Sequence, residues 1–393
     1  MTNDARAAHS ALLPAGLDAL IRTHAADAEA NRRMAPEVMA AIVDAGLLRL
    51  WIPQAYGGPE MAPNDALDLI EALARIDGST GWVVSNCVFI SMLPQFLPDD
   101  TVKRLLGDPK AVCCGSFVPP GQARASSDGY LVSGNWTFGS ASHYATSLVV
   151  LTALHDDAGP VLGEGGAPVS VVVFLEPGEV TLLDTWRTLG LRATGSTNFT
   201  AENVFVPRER AFQLGAWETT SGPFSAPLYR LGLIIDAVRI ARVGVGIAQG
   251  AIDEFVELAT AKTPAYTGTL TADRATVQER VARAQALVQA GRESLRATVA
   301  QGMEAVAGGG RITGPACLPM GLASSFALDA AAQAVDLLYE SAGTTAFRDE
   351  SPLQQRFRDL MTLRQNAISS WSRYEPLGKM ILGRPSDWPF HQL

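Results

Sequence analysis

The pattern of apolar positions changes character twice along the chain. Up to about residue 110 it has a helical period, and in DALDLIEALARID (65–77) the apolar side chains fall on one helix face. Asn64 stands directly before this repeat, where an N-cap is expected. The next segment, GWVVSNCVFISMLPQF (81–96), follows a candidate cap at Ser79 and is apolar on most sides. It is therefore expected to be a helix that is buried all round.

Short runs replace the helical period from about residue 111 to 215. They are rich in β-branched and aromatic residues, and Gly, Pro and Asp separate them, which is typical of strands and turns. The runs are VCCGSFV, GYLVSGNWTF, SLVVLTAL, VSVVVFLEP and TNFTAENVFVP. This texture predicts an antiparallel β-sandwich or barrel.

Long Ala-rich stretches with one apolar stripe return after about residue 225. The last of them, PLQQRFRDLMTLRQNAISSWSRY (352–374), has Pro352 near its first turn, where proline is tolerated. Such helices suit an up-down four-helix bundle. We therefore expect a mainly α chain with a central β domain, divided into an N-terminal helical domain, a middle β domain, and a C-terminal four-helix bundle with a docking tail (1–110, 111–220 and 221–393).

Composition and charge limit the kinds of partner that the chain is expected to bind. The chain has 393 residues, a net charge of −9 and a pI near 5.1, whereas nucleic acid and anionic membranes require clustered Lys and Arg. Its first residues have no basic segment followed by an apolar one, and no apolar run approaches the roughly 20 residues of a membrane span. The four cysteines and five histidines have no metal-ligand spacing. These features predict a cytoplasmic protein without a metal.

Four motifs in order resemble the acyl-CoA dehydrogenase superfamily across nearly the whole chain. They are WIPQAYGGP (51–59), GYLVSGNWTFGSASHYAT (129–146), LGLRATGSTNFTAENVFVP (189–207) and SPLQQRFRDL (351–360). The resemblance implies the acyl-CoA dehydrogenase fold: helical domain, middle β-barrel, four-helix bundle. It also implies a bound flavin.

Two departures from that family favour oxygen chemistry over thioester desaturation. The dehydrogenases carry a glutamate shortly after the motif's Arg-Asp pair, because removal of an α-proton requires a base. No carboxylate occurs here from Leu360 to Trp371, although Glu254 and Glu257 are possible substitutes. In addition, PPGQA (119–123) resembles the two-component flavin monooxygenases. That resemblance implies reduced flavin (FADH2 or FMNH2) from a separate reductase, with dioxygen as co-substrate.

The same resemblance assigns candidate flavin contacts. It places the isoalloxazine-facing turn at Trp136, Phe138, Gly139 and Ser140, although ordinary strand core and a turn would use the same residues. The hydroxyls of Thr194 and Ser196, around Gly195, approach the flavin from the neighbouring strands; simple turn chemistry is the alternative. Ala342 and Gly343 occupy the position of a small-residue pair that meets the flavin of another subunit, which implies a homotetramer or homodimer.

Two residues are candidate catalytic groups. Ser116 lies where monooxygenase relatives place a small polar group that faces the hydroperoxide or substrate. His391 is in the tail RPSDWPFHQL, whose aromatic residues are expected to dock it. Phenol-hydroxylating relatives carry a second histidine on the helix of segment 81–96, which has none here, and His143 is a possible substitute.

The sequence therefore predicts an oxygenase component that hydroxylates an indole- or phenol-like aromatic through a flavin C4a-hydroperoxide. Three alternatives remain open. They are an FAD-dependent acyl-CoA dehydrogenase, oxygenation of a sulfur or nitrogen atom by the same flavin chemistry, and a catalytically silent relative used for binding.

Overall fold

Helices, one sheet and a second set of helices follow one another along the chain, as the hydrophobic pattern predicts. The computed structural model describes residues 12–163, 166–215, 222–265 and 268–392. The predicted boundary between the middle and C-terminal domains, at 220, lies outside the described residues.

The described N-terminal region contains α1 Leu17–Asn31, α2 Pro36–Asp44, α3 Pro63–Ile76, α4 Gly78–Ile90 and α5 Asp99–Leu106. Both predicted caps are wrong by two positions. Helix α3 begins at Pro63, so Asn64 lies inside it, where its side-chain amide donates to the carbonyl of Arg296 (3.1 Å). Helix α4 is capped by Asp77, whose carboxylate accepts from the backbone N–H of Thr80 (2.7 Å) and leaves Ser79 inside the helix.

Helix α4 is almost completely buried, as its apolar composition predicts. It contacts α3, the first strand of the β domain, a long helix of the C-terminal region and the turn at Arg192–Thr194. Its one partly exposed residue in the second turn is Trp82. Helix α4 therefore connects all three regions of the chain.

The β domain is one eight-stranded sheet in the order β6-β7-β2-β1-β3-β5-β8, with β4 paired to β3. The strands are β1 Cys113–Ala125, β2 Gly129–Gly139, β3 Ser147–Asp156, β4 Gly159–Pro160, β5 Ser170–Leu175, β6 Thr181–Leu183, β7 Thr197–Pro207 and β8 Ala211–Gln213. All pairs are antiparallel except β1 and β3. Strand β2 returns along one edge of β1 and β3 runs along the other edge, so β3 has the direction of β1. The expectation of an antiparallel domain holds for every pair but this one.

The C-terminal region packs long helices against one another, with α8 in contact with both α6 and α7. The helices are α6 Ile234–Ala261, α7 Ala275–Ala307, α8 Leu318–Ala342, α9 Pro352–Leu363, α10 Tyr374–Ile381 and α11 Pro389–Gln392. Helix α9 ends at Leu363 rather than continuing to 374. There the side chain of Asn366 accepts from the backbone N–H of Ile368 (2.9 Å), which offers the backbone an alternative to the helix.

Candidate functional site

The turn that follows β2 has an unusual backbone. Phe138 and Ala141 both have positive φ, at 63° and 64°, which is uncommon for residues with a side chain. Gly139 fits between them because a Cβ there would lie 2.8 Å from the ring of Phe199. The turn directs the side chain of Ser140 into the protein, where it is 2% exposed.

A chain of buried hydroxyls runs from this turn to the neighbouring strand. Ser140 Oγ lies 2.7 Å from Ser196 Oγ, which in turn lies 2.6 Å from Thr194 Oγ1. At one end the indole Nε1 of Trp82 donates to Ser140 (2.9 Å), and at the other Thr194 donates to the carbonyl of Leu191 (2.8 Å). The three predicted hydroxyl contacts therefore form one connected group.

The two ends fix the direction of every bond in this chain. An indole N–H only donates and a carbonyl only accepts, while each hydroxyl has one proton. Ser140 therefore accepts from Trp82 and donates to Ser196, which donates to Thr194. We call Trp82, Ser140, Ser196 and Thr194 the hydroxyl chain.

Trp136 does not line an exposed surface beside the turn. Its side chain is wholly buried, stacks on Phe199 (ring centroids 5.5 Å apart) and donates from Nε1 to the carbonyl of Leu151 (2.9 Å). Glycines at 121 and 134 make room for it, since a Cβ at either would lie 2.4 and 2.6 Å from the indole. The expected contact of this ring with the flavin is therefore corrected to a core position, and Gly121 of the PPGQA segment serves that packing.

Phe138 remains as the aromatic group that faces outwards. Its side chain is 57% exposed, and its ring meets that of Trp186 edge-on, with centroids 6.2 Å apart and an angle of 88° between the planes. The indole Nε1 of Trp186 donates to the carbonyl of Leu191 (3.1 Å), the same carbonyl that ends the hydroxyl chain. Trp186 was not predicted, because its strand-like surroundings gave no sign of this contact.

Gly195 and His143 lie side by side next to the hydroxyl chain. Gly195 has φ 57°, and a Cβ there would lie 3.2 Å from Cδ2 of His143. Partial burial of the imidazole, followed by the charge of Arg33, lowers the pKa of His143. A neutral ring at this position is consistent with the substitute role expected from the sequence.

Ser116 lies near the same turn, and the backbone of Val118 links the two. The register of β1 with β3 shifts between Ser116 and Gly121. Within this irregular stretch Ser116 Oγ accepts from the backbone N–H of Val118 (3.2 Å). The carbonyl of Val118 also accepts from the hydroxyl of Thr137 (2.9 Å), the residue before Phe138. Ser116 is buried, so its hydroxyl is engaged locally in this conformation.

A buried polar cluster lies beside Trp82, and the sequence reasoning missed it. The Arg239 guanidinium pairs with Asp236 and lies over the indole of Trp82, 5.4 Å from its centroid. It also donates to Ser85 (3.2 Å) and Asn86 (3.4 Å) on α4. Burial lowers the pKa of Arg239 and raises that of Asp236. Asp236 and Arg239, opposite charges three positions apart in the mostly apolar first half of α6, were the available signal.

Ala342 and Gly343 lie away from these groups, at the end of α8. Ala342 is buried and its carbonyl accepts from Lys262 Nζ (2.8 Å), whereas Gly343 has φ 60° and open space where a Cβ would be. A cleft of about 400 Å³ opens nearby, lined among others by Thr345 and Glu254. The position of the pair is thus consistent with, but does not test, contact with another subunit.

His391 is held by the docked tail. Its side chain is 2% exposed, and Ser386 Oγ lies 2.9 Å from Nδ1. Trp388 and Phe390 stack on each other (5.4 Å), and the Arg373 guanidinium lies 3.7 Å from the centroid of the Trp388 ring. Burial, with the charge of Arg373, lowers the pKa of His391. No described contact joins His391 to the hydroxyl chain.

The two alternative carboxylate bases are poorly placed for proton abstraction. Glu254 forms an ion pair with Arg356 (2.7 Å), and both side chains are almost buried. Glu257 is exposed on the next helix turn. Glu254 accepts two hydrogen bonds from the Arg356 guanidinium, so its carboxylate is committed to this ion pair, which argues against the dehydrogenase alternative.

Metal-ligating groups do not assemble anywhere in the part of the chain that the structure describes. Among the described helices, none combines the length and the apolar character needed to cross a bilayer.

Comparison with known proteins places the chain in a family. Residues 15–107 match the family model described as acyl-CoA dehydrogenase, N-terminal domain, and 238–371 match the corresponding C-terminal domain. The chain is 30% identical over 375 residues to a flavin-dependent monooxygenase, oxygenase subunit HsaA, from Mycobacterium tuberculosis, covering 93% of each. It is 27% identical to an indole-3-acetate monooxygenase from Pseudomonas putida, covering 92% of this chain and 91% of that one.

A solved structure agrees with this placement. The 3-HSA hydroxylase from Rhodococcus sp. RHA1 superposes with a TM-score of 0.86 at 27% identity, covering 94% of this chain and 96% of that chain. The Arg-Asp motif on α9 lies within the C-terminal family match. The chain therefore belongs to the acyl-CoA dehydrogenase family, and within it to the oxygenase components of flavin-dependent monooxygenases.

Proposed function

We propose that this protein takes reduced flavin from a separate reductase and uses dioxygen to hydroxylate an electron-rich, indole- or phenol-like aromatic ring. One oxygen atom enters the ring and the other leaves as water, while the reduced flavin is oxidised. The flavin supplies the electrons and the reactivity towards oxygen, and the protein supplies placement and a site without water.

The hydroxyl chain is the observation that carries this proposal. Its hydroxyls are buried and neutral, and their hydrogen bonds to one another fix the turn without a carboxylate base. Phe138 adds an exposed aromatic face beside them. Such a surface can hold a flavin ring, whereas the abstraction of an α-proton requires a positioned base that this site does not offer.

The polar cluster beside Trp82 supports an aromatic substrate that needs no deprotonation. Arg239 is already neutralised by Asp236, and the neighbouring groups on α4 are Ser85 and Asn86, which do not titrate near neutral pH. A phenol would have to be activated elsewhere, whereas an indole ring is electron-rich as it stands. The relative named above as an indole-3-acetate monooxygenase is in accord with an aromatic substrate.

Ser116 and His391 are proposed as the groups nearest the reacting oxygen. The imidazole of His391 is kept neutral by its lowered pKa, and Ser386 engages Nδ1, so Nε2 is the nitrogen available to exchange a proton. The experiment that tests the function mixes the protein with photoreduced FAD or FMN, then with ¹⁸O₂ and a panel of indoles, phenols and sulfides. Labelled hydroxyl in an aromatic product is expected; labelled sulfoxide alone, or no labelled product, would contradict the proposal.

A further inference from the structure

The peptide group that contains the Leu191 carbonyl is a junction between the two halves of the candidate flavin site. Its carbonyl accepts from Thr194 Oγ1 (2.8 Å), which ends the hydroxyl chain, and from Nε1 of Trp186 (3.1 Å), which packs against Phe138. The backbone N–H of Thr194 also donates to it (3.2 Å). The orientation of this single peptide therefore sets the position of both the hydroxyls and the aromatic pair.

The conformation of Leu191 needs support from outside the loop. Leu191 has φ 52° and is 5% exposed. A left-handed conformation at a residue with a side chain is strained and persists only where the surroundings fix it. Its buried N–H also requires an acceptor, since an unsatisfied donor in the interior is costly.

Helix α9 supplies this support through the Arg-Asp motif. Asp359 Oδ1 accepts from the N–H of Leu191 (2.6 Å), and Arg358 donates to the carbonyl of Leu189 (2.6 Å). Gly190 lies directly on the helix backbone, where a Cβ would lie 2.2 Å from the carbonyl oxygen of Arg358. The motif thus holds three consecutive loop residues.

We propose that Asp359 is a positioning residue for the flavin site: it holds the N–H of Leu191 and thereby fixes the backbone that directs the Leu191 carbonyl to the hydroxyl chain and to the Trp186–Phe138 pair. This inference rests on the proposed function and deepens it. It gives the Arg-Asp motif a task that does not involve proton abstraction.

The surroundings of Asp359 favour a neutral carboxyl group. The side chain is wholly buried, and its Oδ2 has no hydrogen-bond partner among the described residues. Burial first and then the negative charges of Asp77 and Glu29 raise its pKa to about 8, against the lowering effects of the Leu191 N–H and of Arg356. At pH 7 the carboxyl of Asp359 is protonated and accepts the hydrogen bond of the Leu191 N–H through Oδ1. The amide of an asparagine reproduces this arrangement, because it is also neutral and also has an oxygen that accepts.

The protonation of Asp359 gives the stability of the protein a distinct pH dependence. The folded pKa of about 8 is above the ordinary value of 3.8, so the folded protein holds a proton that the unfolded chain releases between these values. Stability therefore falls as pH rises through this interval and levels off above it. Asp359→Asn has no proton to lose, so its advantage over the parent should grow from pH 5 to 8 and then remain constant.

Two substitutions and a control test the inference with readouts that do not depend on product. Asp359→Leu removes the acceptor of the Leu191 N–H, and we expect the Kd for reduced FAD, titrated without oxygen, to rise about ten-fold. Asp359→Asn should stay within about three-fold of the parent, because an amide can accept the same bond. Leu363→Ala, on the same helix and 2% exposed, is the control for lost stability and should keep the parent Kd.

The outcomes separate this inference from the proposed function. Parent-like flavin affinity in Asp359→Leu, or an equal loss in Leu363→Ala, would overturn the positioning role. If Asp359→Leu does not fold, Gly190→Ala displaces the same loop from the helix and should weaken reduced FAD binding in its place; parent-like binding there would again overturn the role.

Melting temperatures of the flavin-free parent and Asp359→Asn test the neutral carboxyl without flavin, and parallel curves between pH 5 and 8 would refute it. A parent protein that binds no reduced flavin would instead contradict the proposed function.

Discussion

Trp82 Nε1 donates to Ser140 Oγ over 2.9 Å, and this bond joins the N-terminal helices to the turn that follows strand β2 of the β domain. The Leu191 carbonyl at the other end of the hydroxyl chain can only accept, so it sets the direction in which the hydroxyls donate, while Trp82 supplies the bond that Ser140 accepts. The same indole lies under the Arg239 guanidinium. A single side chain thus lies between the candidate flavin contacts and the buried polar cluster.

Removal of this donor should weaken flavin binding without unfolding the protein. Trp82→Phe keeps most of the ring but loses one hydrogen bond, for which about 1 kcal/mol and hence a roughly five-fold higher Kd for reduced flavin are expected. The measurement is an anaerobic titration of the protein with reduced FAD. Trp371→Phe, at a side chain that is 66% exposed, serves as the control. Identical affinities in both variants would refute a role for the Trp82 donor.

Phe138 and Trp136, both on strand β2, should respond in opposite ways to substitution. Phe138→Ala removes an exposed ring, so flavin affinity should fall roughly two- to ten-fold while the melting temperature changes little. Trp136→Ala removes a wholly buried ring and should cost about 3–5 kcal/mol of unfolding free energy. Denaturant unfolding and flavin titration of both variants check this. A stable Trp136→Ala protein that has lost flavin binding would restore the expectation made from the sequence.

The order of domains and most strands could be predicted because they follow from local patterns. The run TNFTAENVFVP coincides with β7, and GYLVSGNWTF lacks only the last residue of β2. The direction of β3 relative to β1 depends on which edge of the sheet β3 joins, and no local pattern encodes that choice. The caps of α3 and α4 were misplaced because Asn64 and Ser79 have the right chemistry, and only the neighbouring Pro63 and Asp77 decide between the starts.

The residues of the candidate site could be predicted where a sequence motif contains them. Thr194, Ser196 and Ser140 come together as the resemblance implied. The inward rotation of Trp136 could not be predicted, because strand alternation does not tell which face is covered by other strands and helices. The role of Asp359 could not be predicted from the sequence, because its contact with Leu191 spans 168 positions.

Glu254 should behave as a structural group. Glu254→Leu leaves the almost buried Arg356 without its partner, and a loss of about 3–5 kcal/mol of unfolding free energy is expected. Product formed per reduced flavin should not change in the folded variant, measured below its melting temperature. Glu257→Gln, at an exposed position, should change neither quantity. Reduction of bound oxidised FAD by an acyl-CoA in the parent, lost in Glu254→Leu, would instead support a dehydrogenase.

His391 should affect both coupling and pH stability. We expect His391→Ala to release more peroxide and less product per reduced flavin, because the imidazole that exchanges the proton is missing. The pKa of His391 is lowered from 6.5, so its stabilising contribution is present above pH 6.5 and is lost as pH falls below it. His391→Phe should remove that part of the acid sensitivity in thermal melts, and His155→Phe on β3 should not. Unchanged coupling in His391→Ala would exclude the histidine from the reaction.

The most direct measurement follows reduced flavin as it meets oxygen in the presence of the protein. Photoreduced FAD is bound without oxygen, mixed with ¹⁸O₂ and an indole, and both the rate of flavin reoxidation and the labelled product are recorded. We predict that the protein binds reduced flavin more tightly than oxidised flavin, that reoxidation differs from the free rate, and that one ¹⁸O atom enters the aromatic product. Reoxidation at the free rate, with peroxide as the sole fate of the oxygen for every aromatic substrate tried, would contradict the assignment.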